Sequence, residues 1–185
     1  MYDILYADPP WLANAGEVGR QAARNKKQTN KIDRVYDVMT KSELQAMRPQ
    51  LDDWANPDSL LFMWVIQTNL PEAIALGEAW GFKYVTIPFV WDKVNTNLGY
   101  YTNPQCEIVL LFKKGKPTKA LGKPVDKKVR QFVSEKRREH SRKPHAVREG
   151  IELLYPDAKK LELFARTAPE GWDVFGNETD KFTIN

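Results

Sequence analysis

Apolar runs of strand length alternate with helical segments along this chain, and that alternation restricts the fold more than any other feature of the sequence. Several of the runs are apolar on both faces, which is typical of parallel strands that helices cover on both sides. The predicted strands are Tyr2–Ala7, Leu60–Val65, Tyr84–Trp91, Glu107–Phe112, Leu161–Ala165 and Trp172–Phe175. The sequence therefore predicts an α/β fold with three layers and a mostly parallel sheet.

Helix signals lie between the predicted strands. Thr40 and Glu43 match a capping box, in which each side chain satisfies a backbone N–H at the start of the helix. Gly81 ends the next helical segment and Pro156 ends the last one. The predicted helices cover about residues 40–53, 69–80 and 144–155, and a short helix around Val129–Arg138 is also considered.

Two polar segments interrupt this pattern. Residues 12–36 lack hydrophobic periodicity, and long segments of this kind are usually lids or binding loops. Between Lys113 and Lys143 there are thirteen basic and three acidic residues, whereas the whole chain has a net charge of +4. Such a segment attracts phosphates, although a solvated surface loop explains the charge run equally well. We expect a single domain over residues 1–185, with residues 12–36 and 113–142 as flexible substrate-binding loops.

The composition argues against several classes of protein. No apolar run approaches the ~18 residues of a membrane-spanning helix, and the first residues do not resemble a signal peptide. Cys106 is the single cysteine, which excludes a disulfide framework, and with only two histidines a Cys/His zinc site is not expected. We therefore expect no bound metal, no membrane contact and a reducing, cytoplasmic location.

The tetrapeptide Asp8-Pro9-Pro10-Trp11 follows the first predicted strand and has residue types suited to holding a planar amine. The proline rings lock φ and so fix the backbone carbonyls. A carboxylate and a carbonyl that both accept from an exocyclic amine make its nitrogen nucleophilic toward a methyl sulfonium, and a Trp ring offers a stacking face. The alternative is a turn with a packed Trp. Arg166 also follows a strand, so both should face one crevice at the carboxyl ends of the sheet.

Five further blocks complete the pattern. They are Val90-Trp91-Asp92-Lys93; Gly99-Tyr100 with Asn103 and Glu107; Arg138-Glu139-His140-Ser141-Arg142-Lys143-Pro144; Glu162-Leu163-Phe164-Ala165-Arg166; and Gly171-Trp172 with Gly176-Asn177-Glu178. With the tetrapeptide in front of them, the chain resembles the MT-A70 family of S-adenosylmethionine-dependent N6-adenine methyltransferases over about residues 2–178. The resemblance implies a Rossmann-like class I methyltransferase fold with permuted motif order, in which no G-x-G-x-x-G opens the first helix.

The resemblance also implies roles at the reacting end of the site. Asp8 would contact the target amine and lie near the methionine ammonium of the cofactor. Pro9 would offer its carbonyl to the amine, and Pro10 and Trp11 would shape the pocket for the base. Lys143 would pair with the methionine carboxylate.

Other matching residues are expected around the cofactor and the substrate. Arg166, Asn177 and Glu178 would hold the ribose hydroxyls and the adenine of the cofactor, and Glu162 would orient the site, unless it is a solvent-facing strand carboxylate. The substrate side is expected to include Lys93, Tyr100, Asn103 and Glu107. For Lys93, Asn103 and Glu107, a structural polar group is the alternative.

The expected reaction is methyl transfer from S-adenosylmethionine to the N6 amine of adenine in nucleic acid. DNA is favoured over RNA because the compact chain resembles the bacterial and phage branch of the family more than the eukaryotic one. Without a visible target-recognition domain, sequence readout should come from the two polar segments or from a partner. The alternatives are an RNA methyltransferase, a non-catalytic nucleic-acid-binding subunit, a protein-amide methyltransferase and an enzyme acting on cytosine N4. The oligomeric state is left open, with a dimer considered.

Overall fold

A seven-stranded sheet organises the computed structural model of the chain, which describes residues 1–11, 38–96, 98–99, 101–125, 128–138 and 142–176. The strand order across the sheet is β5-β3-β4-β2-β1-β6-β7. In chain order the strands are β1 (Tyr2–Ala7), β2 (Ala55–Val65), β3 (Lys83–Asp92), β4 (Cys106–Lys114), β5 (Phe132–Ser134), β6 (Lys160–Leu163) and β7 (Asp173–Phe175). All six predicted strands are present, and β2 begins earlier than predicted.

The sheet is mostly parallel, as predicted. Strand β1 pairs in parallel with β2 and with β6, and the β3–β5 and β6–β7 pairs are also parallel. Strand β4 runs antiparallel to both of its neighbours, β2 and β3. Because β4 alone is reversed, the carboxyl ends of β1, β2, β3 and β6 and the first residue of β4 meet at one edge of the sheet.

Helices cover both faces of the sheet. In chain order they are α1 (Lys41–Ala46), α2 (Arg48–Trp54), a 3-10 turn (Gln67–Asn69), α3 (Leu70–Ala79), α4 (Pro117–Ala120) and α5 (His145–Leu154). The Thr40–Glu43 capping box is confirmed at the start of α1. The single helix predicted for residues 40–53 is instead two helices that meet at Met47, where Pro49 starts the second one. Proline suits a first helical turn because it has no N–H to leave unpaired.

Side chains that alternate along the strands divide the core into two clusters, one on each face of the sheet. On one face, Leu5 and Met63 pack with Leu44 of α1, Leu76 of α3 and Trp80, which directly follows α3. On the other face, neighbouring strand residues pack against α5. This second cluster contains Ile4, Tyr6, Phe62, Trp64, Phe89, Val147 and Ile151. The three layers predicted from the sequence are therefore confirmed.

The basic segment is more ordered than predicted. Within residues 113–142, the end of β4, helix α4 and strand β5 form regular structure. The short helix considered around Val129–Arg138 is wrong, because Phe132–Ser134 pairs in parallel with Val90–Asp92 at the edge of the sheet. Val133 packs against the second core cluster, and this tertiary contact outweighs a weak local preference for helix. The loop predicted at residues 12–36 lies outside the described residues. Among the helices of the described part, none has the length and apolar character that crossing a membrane requires.

Candidate active site

The edge of the sheet where the parallel strands end collects the polar residues singled out from the sequence. Asp8 directly follows β1, and Lys93 directly follows β3. Glu107 is the second residue of β4, and it pairs with Trp91 near the end of β3. Arg166 follows β6, the strand beside β1. Residues that are up to more than a hundred positions apart in the sequence thus lie at one edge of the sheet, as expected for a ligand site in an open α/β sheet.

Lys143 lies between two carboxylates at this edge. Its Nζ is 2.9 Å from Asp8 Oδ1 and 3.3 Å from Glu107 Oε2. The other oxygen of Glu107 lies 3.3 Å from Nζ of Lys93, whose whole residue is only 5% exposed. A chain of alternating charges therefore runs from Lys93 through Glu107 and Lys143 to Asp8. The Lys143 ammonium also lies 5.4 Å above the ring of Trp64, a distance at which the ring face attracts a cation.

These contacts fix the charge of Lys143. Burial by itself lowers the pKa of a lysine because it penalises the charged form. Here the nearby carboxylates of Asp8 and then Glu107 outweigh burial, and the pKa of Lys143 is raised above its ordinary value. Lys143 is consequently a fixed cation at physiological pH, suited to pairing with an anionic group of a ligand.

A second buried ion pair joins α5 to β6. The Arg148 guanidinium donates to Glu162 Oε2 at 2.7 Å, with the side chains 17% and 12% exposed. Burial raises the pKa of Glu162, and Arg148 partly counters this while the charge of Asp8 adds to it. Glu162 pairs in register with Tyr6 on β1, and the Tyr6 hydroxyl accepts from the indole N–H of Trp64. The Arg148–Glu162 ion pair and the hydrogen-bonded Tyr6 and Trp64 side chains therefore lie together at this edge of the sheet.

An open cleft separates these groups. Its walls include Tyr6, Asp8, Trp64, Lys143, Arg148, Glu162, Phe164 and Arg166. Both signs of charge are present: the cations are Lys143, Arg148 and Arg166, and the carboxylates are those of Asp8 and Glu162. Such a donor set fits the carboxylate and ammonium of an amino-acid group, which needs a partner of each sign. Phe164 adopts a positive φ of 61° at the end of β6, a conformation uncommon for a non-glycine residue and often found at functional sites.

The Asp8-Pro9-Pro10-Trp11 turn is held by backbone hydrogen bonds. The carbonyl of Pro9 accepts from the N–H of Trp11 at 2.8 Å, and the carbonyl of Pro10 accepts from Met39 at 2.9 Å. Trp11 forms a parallel bridge with Met39 and packs against the first core cluster. Its indole N–H is buried and has no hydrogen-bond partner among the described residues. The packed Trp of the alternative interpretation is thus present, together with an unused donor.

The structure brings together most of the described residues predicted for the site. Asp8, Lys143, Glu162 and Arg166 line the cleft, and Lys93 and Glu107 join it through the ion-pair chain. Asn103 is exposed and is not among the residues that line the cleft. Tyr100, Asn177 and Glu178 lie outside the described residues. Lys93 is almost fully buried and its ammonium donates to Glu107 Oε1 at 3.3 Å.

Among the cleft residues that sequence reasoning missed are Tyr6, Trp64 and Arg148. Tyr6 could have been found, because side chains two apart on a strand share a face and Asp8 was already identified. Arg148 also had a signal, as a charged residue beside the buried positions Val147 and Ile151 of an amphipathic helix. Trp64 had none, because its position depends on the pairing of β2 with β1.

Comparisons with known proteins identify the family of the chain. The family model described as MT-A70 matches residues 2–178. A type II methyltransferase, M.MunI, from Mycoplasma sp is 38% identical over 185 residues, covering 96% of this chain and 77% of that protein. An N(6)-adenosine-methyltransferase MT-A70-like protein from Arabidopsis thaliana is 29% identical, and METTL3, the N(6)-adenosine-methyltransferase catalytic subunit from Homo sapiens, is 26% identical. This chain spans only 24% and 28% of those two longer proteins.

The family match covers nearly the whole chain, from residue 2 to residue 178. The chain therefore belongs to the MT-A70 family and is an S-adenosylmethionine-dependent N6-adenine methyltransferase.

Proposed function

We propose that the substrate of this enzyme is adenine in DNA and that the cleft at the carboxyl edge of the sheet is the reaction site. The observation that carries the proposal is the position of Asp8, which ends β1 inside the cleft and forms an ion pair with Lys143 at 2.9 Å. A carboxylate in a turn stiffened by two prolines can accept from an amine, and a fixed cation beside it can hold the donor molecule.

The cofactor residues follow from charge. Lys143 would hold the methionine carboxylate, and Asp8 would lie near the methionine ammonium. Arg166, Asn177 and Glu178 are proposed for the ribose and adenine of the cofactor. Glu162, held by Arg148 at 2.7 Å, would orient this end of the cleft. When bound, S-adenosylmethionine supplies an electrophilic methyl group on a sulfonium sulfur.

The chain's own part in the reaction is to activate and align the amine. The Asp8 carboxylate and the Pro9 carbonyl accept hydrogen bonds from the two N–H groups of the amine. These hydrogen bonds turn the nitrogen lone pair out of conjugation with the ring. The amine held by Asp8 and the Pro9 carbonyl would take the methyl group from the sulfonium sulfur, which would keep the electron pair of the broken S–C bond, and the surplus amine proton would pass to the Asp8 carboxylate or to water. The Pro9 carbonyl already accepts from Trp11, but a carbonyl oxygen has a second lone pair for the amine. Alignment of the two reactants supplies much of the rate.

Two observations favour nucleic acid and DNA in particular. Basic residues concentrate between Lys113 and Lys143, and Lys143 itself lies in the cleft, so the basic stretch leads into the proposed site. The relative M.MunI is a type II methyltransferase, and this chain covers 77% of it. The eukaryotic N(6)-adenosine-methyltransferases share less identity and are about four times as long.

The test is transfer of labelled methyl from S-adenosylmethionine to unmethylated duplex DNA, to the same DNA after heat denaturation, and to RNA. We expect N6-methyladenine in DNA, and its loss in Asp8→Ala. Asp157→Ala, an exposed turn residue, is the matched control and should retain full activity. Label in RNA alone would replace DNA with RNA, and label in N4-methylcytosine would replace the target base. Equal activity of Asp8→Ala and the wild type would remove Asp8 from the site.

A further inference from the structure

The loop between β3 and β4, residues 93–105, leaves the sheet at the edge that holds the cleft. Its first residue, Lys93, forms the ion pair with Glu107, which in turn contacts Lys143. Asp92 and Cys106, which flank the loop, are paired in register. The loop therefore starts at one member of the ion-pair network, Lys93, and returns to the sheet one residue before another, Glu107.

Apolar side chains at the outer part of this loop face solvent. Leu98 is 98% exposed and Tyr101 is 92% exposed, the largest values among the exposed large hydrophobic residues of the described chain. An exposed apolar side chain costs free energy in water, so covering either of these side chains with a ligand would be favourable.

The loop is held in shape rather than merely extended into solvent. A Cβ atom at Gly99 would lie 2.1 Å from the Thr102 carbonyl oxygen and 2.7 Å from the Pro104 ring, so only glycine allows this close approach. At the base, one oxygen of Asp92 accepts from the Val94 N–H at 2.8 Å and from the Gln105 amide at 2.6 Å. These donors hold the pKa of Asp92 below its usual range.

Asp92 also fastens a basic stretch beside the loop. Its second oxygen accepts from the Ser134 hydroxyl at 3.1 Å, and its backbone carbonyl accepts from Glu135. The N–H of Arg137 donates to the carbonyl of Lys93. The next exposed side chains are those of Lys136, Arg137 and Arg138. Asp92 thus joins the base of the loop to a stretch with three exposed basic residues, one of which, Arg138, also pairs with Glu135 at 2.7 Å.

We propose that the β3–β4 loop inserts Leu98 into the base stack of duplex DNA beside the target adenine, while Lys136, Arg137 and Arg138 bind the phosphates that flank it. This inference rests on the proposed function in DNA. An adenine inside a duplex cannot reach Asp8 unless it is rotated out, and unstacking it costs free energy. Apolar wedges such as leucine offset that cost in other proteins by entering between base steps. The adjacent cations supply the phosphate contacts that a wedge needs to stay seated.

The test compares Leu98→Ala with Leu153→Ala, a control at an exposed leucine on α5. The methylated sequence is first read from wild-type product on unmethylated plasmid DNA. Three oligonucleotides with that sequence are then compared: a matched duplex, a duplex whose target adenine faces an abasic site, and the single strand. On the matched duplex, Leu98→Ala should lose about tenfold in kcat/KM, because unstacking is the step that the wedge assists. On the abasic duplex, it should match the wild type. Leu153→Ala should match the wild type on both.

Three outcomes would overturn the wedge. One is a Leu98→Ala activity equal to the wild type on the matched duplex. Another is an equal loss on the matched and abasic duplexes, which would mean that Leu98 serves the fold or the cleft. The third is a fall in sedimentation coefficient of Leu98→Ala, which would assign Leu98 to contact between copies of the chain. A wild type that methylates none of the DNA substrates would instead contradict the proposed function, a result distinct from these three.

Discussion

Lys143 shows how single residues define this site. It contacts Asp8 at 2.9 Å and Glu107 at 3.3 Å, so two carboxylates that would repel each other share one cation. Without ligands, Asp8, the proposed acceptor for the amine, forms an ion pair with Lys143, the proposed partner of the cofactor carboxylate. Binding of a carboxylate to Lys143 would release Asp8 toward the amine. The affinity for the cofactor should therefore depend strongly on this one ammonium.

We predict that Lys143→Met weakens S-adenosylmethionine binding by roughly 10- to 100-fold, the range of a charge-assisted hydrogen bond worth about 1.5–3 kcal/mol. Isothermal titration calorimetry measures it. Because the pKa of Lys143 is raised, the wild type should lose no affinity through lysine deprotonation between about pH 7 and pH 9.

Lys159→Met removes an exposed lysine and serves as the control for lost charge. A dissociation constant for Lys143→Met within twofold of the wild type would contradict the assignment. Circular dichroism of both variants separates a binding defect from a folding defect.

Arg148 defines the other wall of the cleft through its 2.7 Å contact with Glu162. Removing one partner of a largely buried ion pair leaves an uncompensated charge, so Arg148→Gln should destabilise the fold by about 3 kcal/mol near neutral pH. Urea denaturation measures it. In Arg148→Gln/Glu162→Gln no buried charge is left unpaired, and this double variant should recover much of the loss. Equal stability of the single and double variants would show that the pair is not coupled.

The stability of Arg148→Gln should depend on pH in a direction that follows from the pKa of Glu162. Burial raises the pKa of Glu162, and Arg148 is what lowers it, so the pKa rises further in Arg148→Gln. The folded form then binds a proton more tightly than the unfolded chain, and its stability falls as pH rises through this pKa. The destabilisation of Arg148→Gln relative to the wild type should thus be smaller at pH 5 than at pH 7. An unchanged difference would contradict this reasoning.

At the scale of elements, the sequence predicted best where local signals and tertiary contacts agree. The capping box at Thr40 and Glu43 and the strands apolar on both faces are local signals, and they formed as expected. Strand β5 could not be predicted, because Phe132–Ser134 is short and becomes a strand only by pairing with Val90–Asp92. The division of one predicted helix at Met47 follows from Pro49, which the sequence does contain.

Alanine substitutions at two helical glycines would test how closely the helices pack on the sheet. A Cβ at Gly77 on α3 would lie 2.3 Å from the ring of Phe112, whereas a Cβ at Gly150 on α5 would lie 3.1 Å from the ring of Phe89. Alanine favours a helix by about 1 kcal/mol over glycine, but overpacking costs about 1–3 kcal/mol. Gly77→Ala should therefore lower the melting temperature, and Gly150→Ala should change it less. The reverse order would contradict the packing described for the two faces.

At the scale of the whole molecule, the motif blocks predict where the candidate site lies, but they do not predict which of its residues contact each other. Asp8 and Arg166 could be assigned to one crevice, because both follow strands that an α/β sheet sets side by side. The contact of Lys143 with Glu107, the contact of Arg148 with Glu162 and the burial of Lys93 depend on strand order and on the packing of α5. No spacing of residues in the sequence indicates these two contacts or the burial of Lys93.

Among the described residues, exposed basic side chains lie at both ends of the strands. Lys136, Arg137 and Arg138 are exposed beside the cleft, whereas Lys83, Lys113 and Lys159 are exposed near the opposite ends of strands β3, β4 and β6. If DNA binds at the cleft, only the first group should displace counterions from it. Each phosphate contact contributes about −0.9 to the slope of log K against log salt concentration.

Replacing Lys136, Arg137 and Arg138 together by alanine should therefore reduce the magnitude of that slope by about 2–3. Replacing Lys83, Lys113 and Lys159 removes the same charge and should change the slope by less than about 1. Fluorescence anisotropy with a labelled duplex, between 50 and about 300 mM salt, measures both. Net charge alone acts over the whole surface, so a purely long-range attraction would give the two triple variants the same slope. Equal slopes would thus contradict a DNA path along the cleft edge, and unequal slopes in the expected direction would place the phosphates beside β5.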